Sequence, residues 1–372
     1  MSNIQSLIVK IAERCNLNCS YCYMYNHGDQ SYLKRPKYMS AEIYSAMLER
    51  VKAHCSKEDG RSMDFTFHGG EPLLIGKERM VAMVREAREV LGDALGGIQV
   101  QTNGTLIDDE WARLFDDNGI SIGISIDGPP ELHDSMRVDH AGKGSHAQVV
   151  AGIRHLQNYN LAKNVLCVIN PAASGLAAYE HFIELGFKSM NFLIPDVSRD
   201  SKSIWYGHLG ETSVANYLIP IFDRWFEEDD PSVKISVFRQ LLGKLVNRHI
   251  QGTDSFGNGP MPYLIIESDG AIQPLDVLRA IKPELIETNL NVLQHGFDDL
   301  HQGPALFHKL VEHGPTPCDT CTACPEFQVC GGGYLPHRYS EENGFDNPSA
   351  WCEDIKKLVA HLRASVEVAC AV

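Results

Sequence analysis

Up to about residue 230, short apolar runs rich in β-branched residues alternate with longer stretches whose apolar positions recur every three or four residues. The short runs Leu7–Ile11, Asp64–His68, Ile98–Thr102, Ser121–Ile126, Asn164–Ile169 and Ser189–Leu193 predict strands. The longer ones, Ala41–His54, Gly76–Leu91, Asp108–Asn118, His146–Tyr159, Gly175–Leu185 and Ser213–Glu228, predict amphipathic helices. Regular alternation of strand and helix implies a parallel sheet with right-handed crossovers, an α/β fold. Six units rather than eight predict an open, partial (β/α)6 TIM barrel. The acidic stretch Glu227-Glu228-Asp229-Asp230-Pro231 closes the last helix with a proline, so 1–230 is expected to form the barrel and 231–372 a smaller C-terminal domain. Tyr263–Glu267 and Ala271–Pro274, joined through Ser268-Asp269-Gly270, read as a hairpin that opens this second domain.

The 372 residues are enough for a large core, and a net charge of −15 argues against a general nucleic-acid binder, which carries a basic stripe. The start, Met1-Ser2-Asn3-Ile4-Gln5, lacks an export signal, and no run approaches the ~20 apolar residues that span a bilayer. A cytoplasmic protein without membrane or nucleic-acid partners is expected.

Eleven cysteines change that picture, because they gather in two groups near opposite ends. Cys15, Cys19 and Cys22 stand four and three residues apart, directly after the first strand. Iron-sulfur clusters normally take four thiolates, so three close ones leave an iron open to a small-molecule ligand. Zinc, which asks for four protein ligands, and a disulfide, which suits short secreted chains, are the other readings of this spacing. Polar residues follow the next strands, where parallel α/β folds place their chemistry: His68-Gly69-Gly70-Glu71-Pro72, Gln101-Thr102-Asn103-Gly104 and Ser125-Ile126-Asp127-Gly128, with Arg137 beyond.

The cysteine run with Tyr21 before its last member resembles the signature of the radical S-adenosylmethionine superfamily. That resemblance implies a four-iron, four-sulfur cluster on Cys15, Cys19 and Cys22, with S-adenosylmethionine on the open iron. It further implies cofactor contacts from Gly70 and Glu71 to the methionine amino group, from Ser125 and Asp127 to ribose or methionine, and from Arg137 to the carboxylate, with Tyr21 and Asn103 beside them.

The second group, Cys321, Cys324, Cys330 and Cys352, is a four-thiolate set that needs no outside ligand and suits either a cluster or structural zinc. It resembles the SPASM extension of the same superfamily, which usually binds two auxiliary clusters through Cys-x2-Cys-x5-Cys-x3-Cys and a later cysteine. Tyr334 occupies the fourth position here, Pro274-Leu275-Asp276 stands where the family has Pro-Cys-Asp, and no cysteine lies between Cys167 and Cys318. The expectation is therefore one auxiliary cluster, with Cys318 a spare thiol. Together with Gly331-Gly332-Gly333-Tyr334-Leu335-Pro336-His337-Arg338 and Asn343-Gly344-Phe345-Asp346, these features resemble the FxsB-type radical SAM/SPASM peptide maturases.

That likeness implies a peptide maturase acting on a ribosomally made precursor and joining an aromatic ring to a β-carbon in a three-residue cyclophane. An external electron donor such as flavodoxin or ferredoxin follows from it. So does Asp276 as the base that takes the departing proton. Glu267, His337 and Arg338 are candidates for peptide contact or structural ion pairs. Thioether formation, β-hydroxylation, epimerisation and formylglycine-type sulfatase maturation are alternative reactions, and a non-catalytic iron-sulfur or zinc scaffold is the alternative outside enzymes.

Overall fold

The computed structural model describes residues 4–247, 253, 255–256 and 258–370; Met1–Asn3 and the Cys370 side chain fall outside that description. Among the described residues nine strands run in chain order: β1 Ser6–Ala12, β2 Met63–Gly69, β3 Leu95–Thr102, β4 Ser121–Ser125, β5 Asn164–Val168, β6 Ser189–Leu193, β7 Lys234–Ile235, β8 Tyr263–Ile266 and β9 Ile272–Gln273. The chain forms two compact units built from interleaved segments.

The first unit comprises Met1–Ser125, Asp134–Lys163 and Met261–His313. Its strands lie in the order β4-β3-β2-β1-β8-β9, parallel from β4 to β8 and antiparallel between β8 and β9. Side chains alternate across the sheet, so Leu7, Val9 and Ile11 of β1 are buried on one face while Lys10 points to the other. Helix Ala41–Cys55 starts where the Ser40 hydroxyl accepts from the Ile43 N–H, and it buries Tyr44, Met47, Leu48 and Val51, spaced as one helical stripe. Full burial of each such side chain contributes about 1.5–3 kcal/mol. Helices Lys77–Leu91, Asp109–Asp117 and His146–Gln157 cover the strands in the same manner.

The hairpin is present as expected, but its first strand pairs in parallel with β1, Ser6 opposite Tyr263, so residues near 270 extend the sheet that carries the first cysteine loop. Partner choice across such a sequence distance has no local signature.

The second unit comprises Ile126–His133, Asn164–Pro260 and Gly314–Val372. It contains the parallel trio β5-β6-β7, helices Gly175–Glu184, Ser213–Glu228 and Ser236–Val246, and the long helix Cys352–Cys370. Trp351, fully buried before that last helix, donates its indole N–H to the Pro195 carbonyl at 3.1 Å. None of the described helices is long and apolar enough to cross a membrane.

Candidate active site

The first cysteine loop leaves β1 and is held on two sides. On one, Gly70 N–H donates to the Ala12 carbonyl at 2.8 Å and Glu71 N–H to Arg14 at 2.9 Å. On the other, Asn18 N–H donates to Val138 at 2.7 Å and Ser20 N–H to Met136 at 2.9 Å, which places Arg137 beside the loop. Arg137 Nη1 donates to the Tyr21 hydroxyl at 2.6 Å. Gly69 and Gly70 are required here by space. A Cβ at Gly69, whose φ is 148°, would fall 1.9 Å from the Ala12 carbonyl oxygen, and one at Gly70 would fall 2.0 Å from the Tyr25 hydroxyl.

A cavity of the first unit is lined by Cys15, Cys19 and Cys22 together with Tyr21, Tyr23, His68, Gly70, Gln101, Asn103, Ser125 and Arg137. Asn103 Nδ2 reaches the Cys15 sulfur at 3.7 Å, and Ser125 Oγ accepts from Gln101 Nε2 at 2.9 Å. Six of the eight cofactor and catalytic residues read from the sequence thus lie in the first unit around the cysteine loop or just behind it, and Asp276, described below, is a seventh. Asp127 belongs to the second unit, where it is buried and accepts from the Val168 N–H at 3.1 Å.

Glu71 does not line the cavity. It is fully buried, and its two carboxylate oxygens accept from the Leu73 N–H at 3.0 Å, the Thr102 hydroxyl at 2.7 Å and the Asn103 N–H at 2.8 Å. Burial raises its pKa, opposed by those three donors. Its side chain thereby ties the glycine turn to the end of β3.

The donor set fits an iron-sulfur cluster. Burial first, then neighbouring Glu71, Cys19 and Cys22, push the Cys15 thiol up to about 12, and burial with Cys19 pushes Cys22 to about 11. Three thiolates lining one cavity need a strongly positive centre, which sulfur-bound iron supplies. Among the described residues no three His, Cys, Asp or Glu side chains converge as one metal ion requires, whereas the thiolates of a four-iron cluster each bind a different iron.

Lys10, Tyr23 and Arg279 carry no assignment from sequence, and Glu267 only one to peptide contact or a structural ion pair, yet all four surround Asp276. Its Oδ2 accepts from the Tyr23 hydroxyl at 2.8 Å and lies 2.5 Å from Lys10 Nζ. Lys10 also pairs with Glu267 at 3.3 Å, and Arg279 pairs with Glu267 and, at 3.5 Å, with Asp29. Burial works against ionisation of Asp276, but Lys10 and Arg279 outweigh it and hold the carboxyl well below the usual range. Burial and Asp276 raise the Tyr23 phenol, which remains a donor. A single charged residue inside the apolar run Leu7-Ile8-Val9-Lys10-Ile11 was the available signal; its partner was not.

In the second unit Cys321, Cys324, Cys330 and Cys352 line one small cavity with Gly332 and Ser349. Cys318 does not line it; it is a buried free thiol hydrogen-bonded to that of Cys321, which is pushed up to about 12 by burial and by Cys318.

Residues 9–172 match the model of the Radical SAM superfamily, so the chain carries a Radical SAM domain and is an enzyme of the class that uses S-adenosylmethionine with a four-iron, four-sulfur cluster. It is 29% identical over 375 residues, 95% of each chain, to the cysteine-type anaerobic sulfatase-maturating enzyme of Clostridium perfringens (strain 13 / Type A). A solved structure described as native anSMEcpe with bound AdoMet superposes with a TM-score of 0.85 at 26% identity, covering 99% of both chains. Streptococcus suis SuiB bound to precursor peptide SuiA shares the fold, with a TM-score of 0.66 at 15% identity over 95% of this chain and 76% of that one.

Proposed function

We propose that this enzyme oxidises a side-chain carbon of a ribosomally made precursor peptide and joins it to an aromatic ring, giving a three-residue cyclophane. The observation that carries the reading is Asp276, an ionised carboxylate held by Lys10 and by Tyr23 of the cysteine loop itself. Cys15, Cys19 and Cys22 would hold the cluster that, with S-adenosylmethionine, would supply hydrogen-atom abstraction from an unactivated carbon, and Cys321, Cys324, Cys330 and Cys352 would hold a second cluster that would supply an electron acceptor.

The chain's own residues do the rest. Gly70, Asn103, Ser125, Tyr21 and Arg137 present polar groups to the cavity for the cofactor's charged end and ribose, with Glu71 fixing the turn that carries Gly70. After the β-carbon has bonded to the ring, the ring carbon must lose one proton and one electron. An oxidised ring adduct is so acidic that a weak base suffices, which suits a carboxylate that Lys10 keeps ionised. The family reading assigns 1–230 to the partial barrel and 231–372 to the SPASM-like extension with one auxiliary cluster. A flavodoxin- or ferredoxin-like donor provides the first electron, and oxidation-prone thiolate clusters fit a reducing cytoplasm.

Sulfatase-type maturation is the second reading, favoured by similarity to a sulfatase-maturating enzyme along 95% of both chains. Against it stand the missing cysteines between Cys167 and Cys318, since sulfatase maturases normally carry both auxiliary clusters. Coexpression with candidate precursor peptides rich in aromatic residues, and separately with a sulfatase-derived cysteine peptide, distinguishes them by tandem mass spectrometry. A crosslink loses two hydrogens and suppresses fragmentation between the joined residues. Formylglycine gives an aldehyde that hydrazide captures, and its appearance without crosslink would overturn the first reading, as would added oxygen or unchanged mass.

A further inference from the structure

Among the described residues two arginines are fully buried, Arg279 and Arg338, and their surroundings differ. Arg279 lies among carboxylates, Glu267 and Asp29. Arg338, in the second unit, meets no carboxylate among the described residues; the ionisable groups near its guanidinium are the thiols of Cys321, Cys318 and Cys330.

Its donors are received by a backbone built for them. Nε donates to the Gly332 carbonyl at 3.0 Å and to Gly333 at 3.2 Å, Nη2 to Gly331 and Gly333 at 2.9 Å each, and Nη1 to Thr316 at 3.0 Å. Three consecutive glycines at φ 62°, 88° and 74° turn their carbonyls onto that one cation, a left-handed run that other residues rarely adopt. A Cβ at Gly332 would lie 2.8 Å from Nη2. The same Gly332 lines the four-cysteine cavity, and its N–H donates to the Cys330 sulfur at 3.4 Å.

Carbonyl dipoles satisfy the donors but do not neutralise the charge, and a lone buried cation is strongly disfavoured. A cluster held by the four thiolates in the cavity that Gly332 lines would carry net negative charge and supply that counter-charge. We infer that Arg338 is the counter-charge of the second iron-sulfur centre, a positioning residue that, through the Gly331-Gly332-Gly333 turn, retains the cluster and raises its reduction potential. The inference rests on the proposal that Cys321, Cys324, Cys330 and Cys352 hold a cluster.

The test uses the full chain with Cys15, Cys19 and Cys22 changed to Ala, so that only the second centre reports. This parent, reconstituted anaerobically, should hold about four irons. In it, Arg338→Gln should shift the midpoint potential, read by electron paramagnetic resonance, to more negative values and speed iron loss to a chelator several-fold, while Arg338→Lys should restore both toward the parent. A midpoint and chelation rate equal to the parent's in Arg338→Gln overturn the inference, as does Arg338→Lys as negative as Arg338→Gln. If Arg338→Gln does not fold, by circular dichroism, Gly332→Ala carries the same comparison, because its Cβ displaces the guanidinium from the turn. A parent that binds no iron overturns the cluster assignment instead.

Discussion

Lys10 Nζ lies 2.5 Å from Asp276 Oδ2, joining the first strand to the residue after the hairpin, and both are beside the loop that carries Cys15, Cys19 and Cys22. Lys10 has no exposure to solvent, so this pair is screened little and fixes the ionisation of the carboxylate.

Asp276→Asn keeps the shape but removes the proton acceptor. Product formation should fall by about 10²–10⁴-fold, the usual worth of a positioned general base, while 5'-deoxyadenosine is still released. Chromatography of both products in one reaction checks this; equal loss of the two would assign Asp276 to cofactor handling.

The pH profile follows from the direction of the shift. Lys10 and Arg279 hold Asp276 below the usual carboxylate range against burial. A depressed value means that the ionised form is favoured in the folded enzyme, with its stabilisation present above the unfolded value and lost only as pH falls through the lower folded one. The turnover rate should therefore show no acid limb in the usual carboxylate range. The groups facing Asp276 are Lys10, Arg279, Glu267, Tyr23 and His68, and removing the nearest cation in Lys10→Met should bring an acid limb up in pH.

Glu71→Gln places an NH2 group among the N–H donors of Leu73 and Asn103, which Glu71 now satisfies. Leaving a buried donor unmet costs about 1–3 kcal/mol, so denaturant unfolding should show that loss, and cofactor cleavage should weaken as the glycine turn loosens. Unchanged stability with weakened cofactor binding would instead make Glu71 a direct ligand.

Gly70→Ala puts a methyl group 2.0 Å from the Tyr25 hydroxyl and 2.5 Å from the Arg14 carbonyl carbon, at the foot of the cysteine loop. Iron per chain after anaerobic reconstitution should drop from about eight to about four, with the second centre intact.

The strand and helix rhythm was legible because each element carries its own periodicity: Ser189–Leu193 and Ser213–Glu228 have the expected bounds. The cysteine loop was legible for the same local reason. The pairing of Tyr263–Ile266 with β1 was not, since a strand's apolar pattern does not name its neighbour. Glu71 is read from the motif as a cofactor contact, and the structure adds what the motif does not carry: its carboxylate accepts from Leu73, Thr102 and Asn103, a network that no spacing encodes. Lys10 and Arg279 belong to the Asp276 site only through tertiary contacts that no spacing encodes.

The most direct measurement is anaerobic incubation of the iron-loaded enzyme with S-adenosylmethionine, a strong reductant and its precursor peptide. Release of 5'-deoxyadenosine together with a peptide two hydrogens lighter and joined from ring to β-carbon is the expected result. Absence of 5'-deoxyadenosine from enzyme whose iron centres are verified as intact would contradict the assignment of the cysteine loop as a radical-generating site.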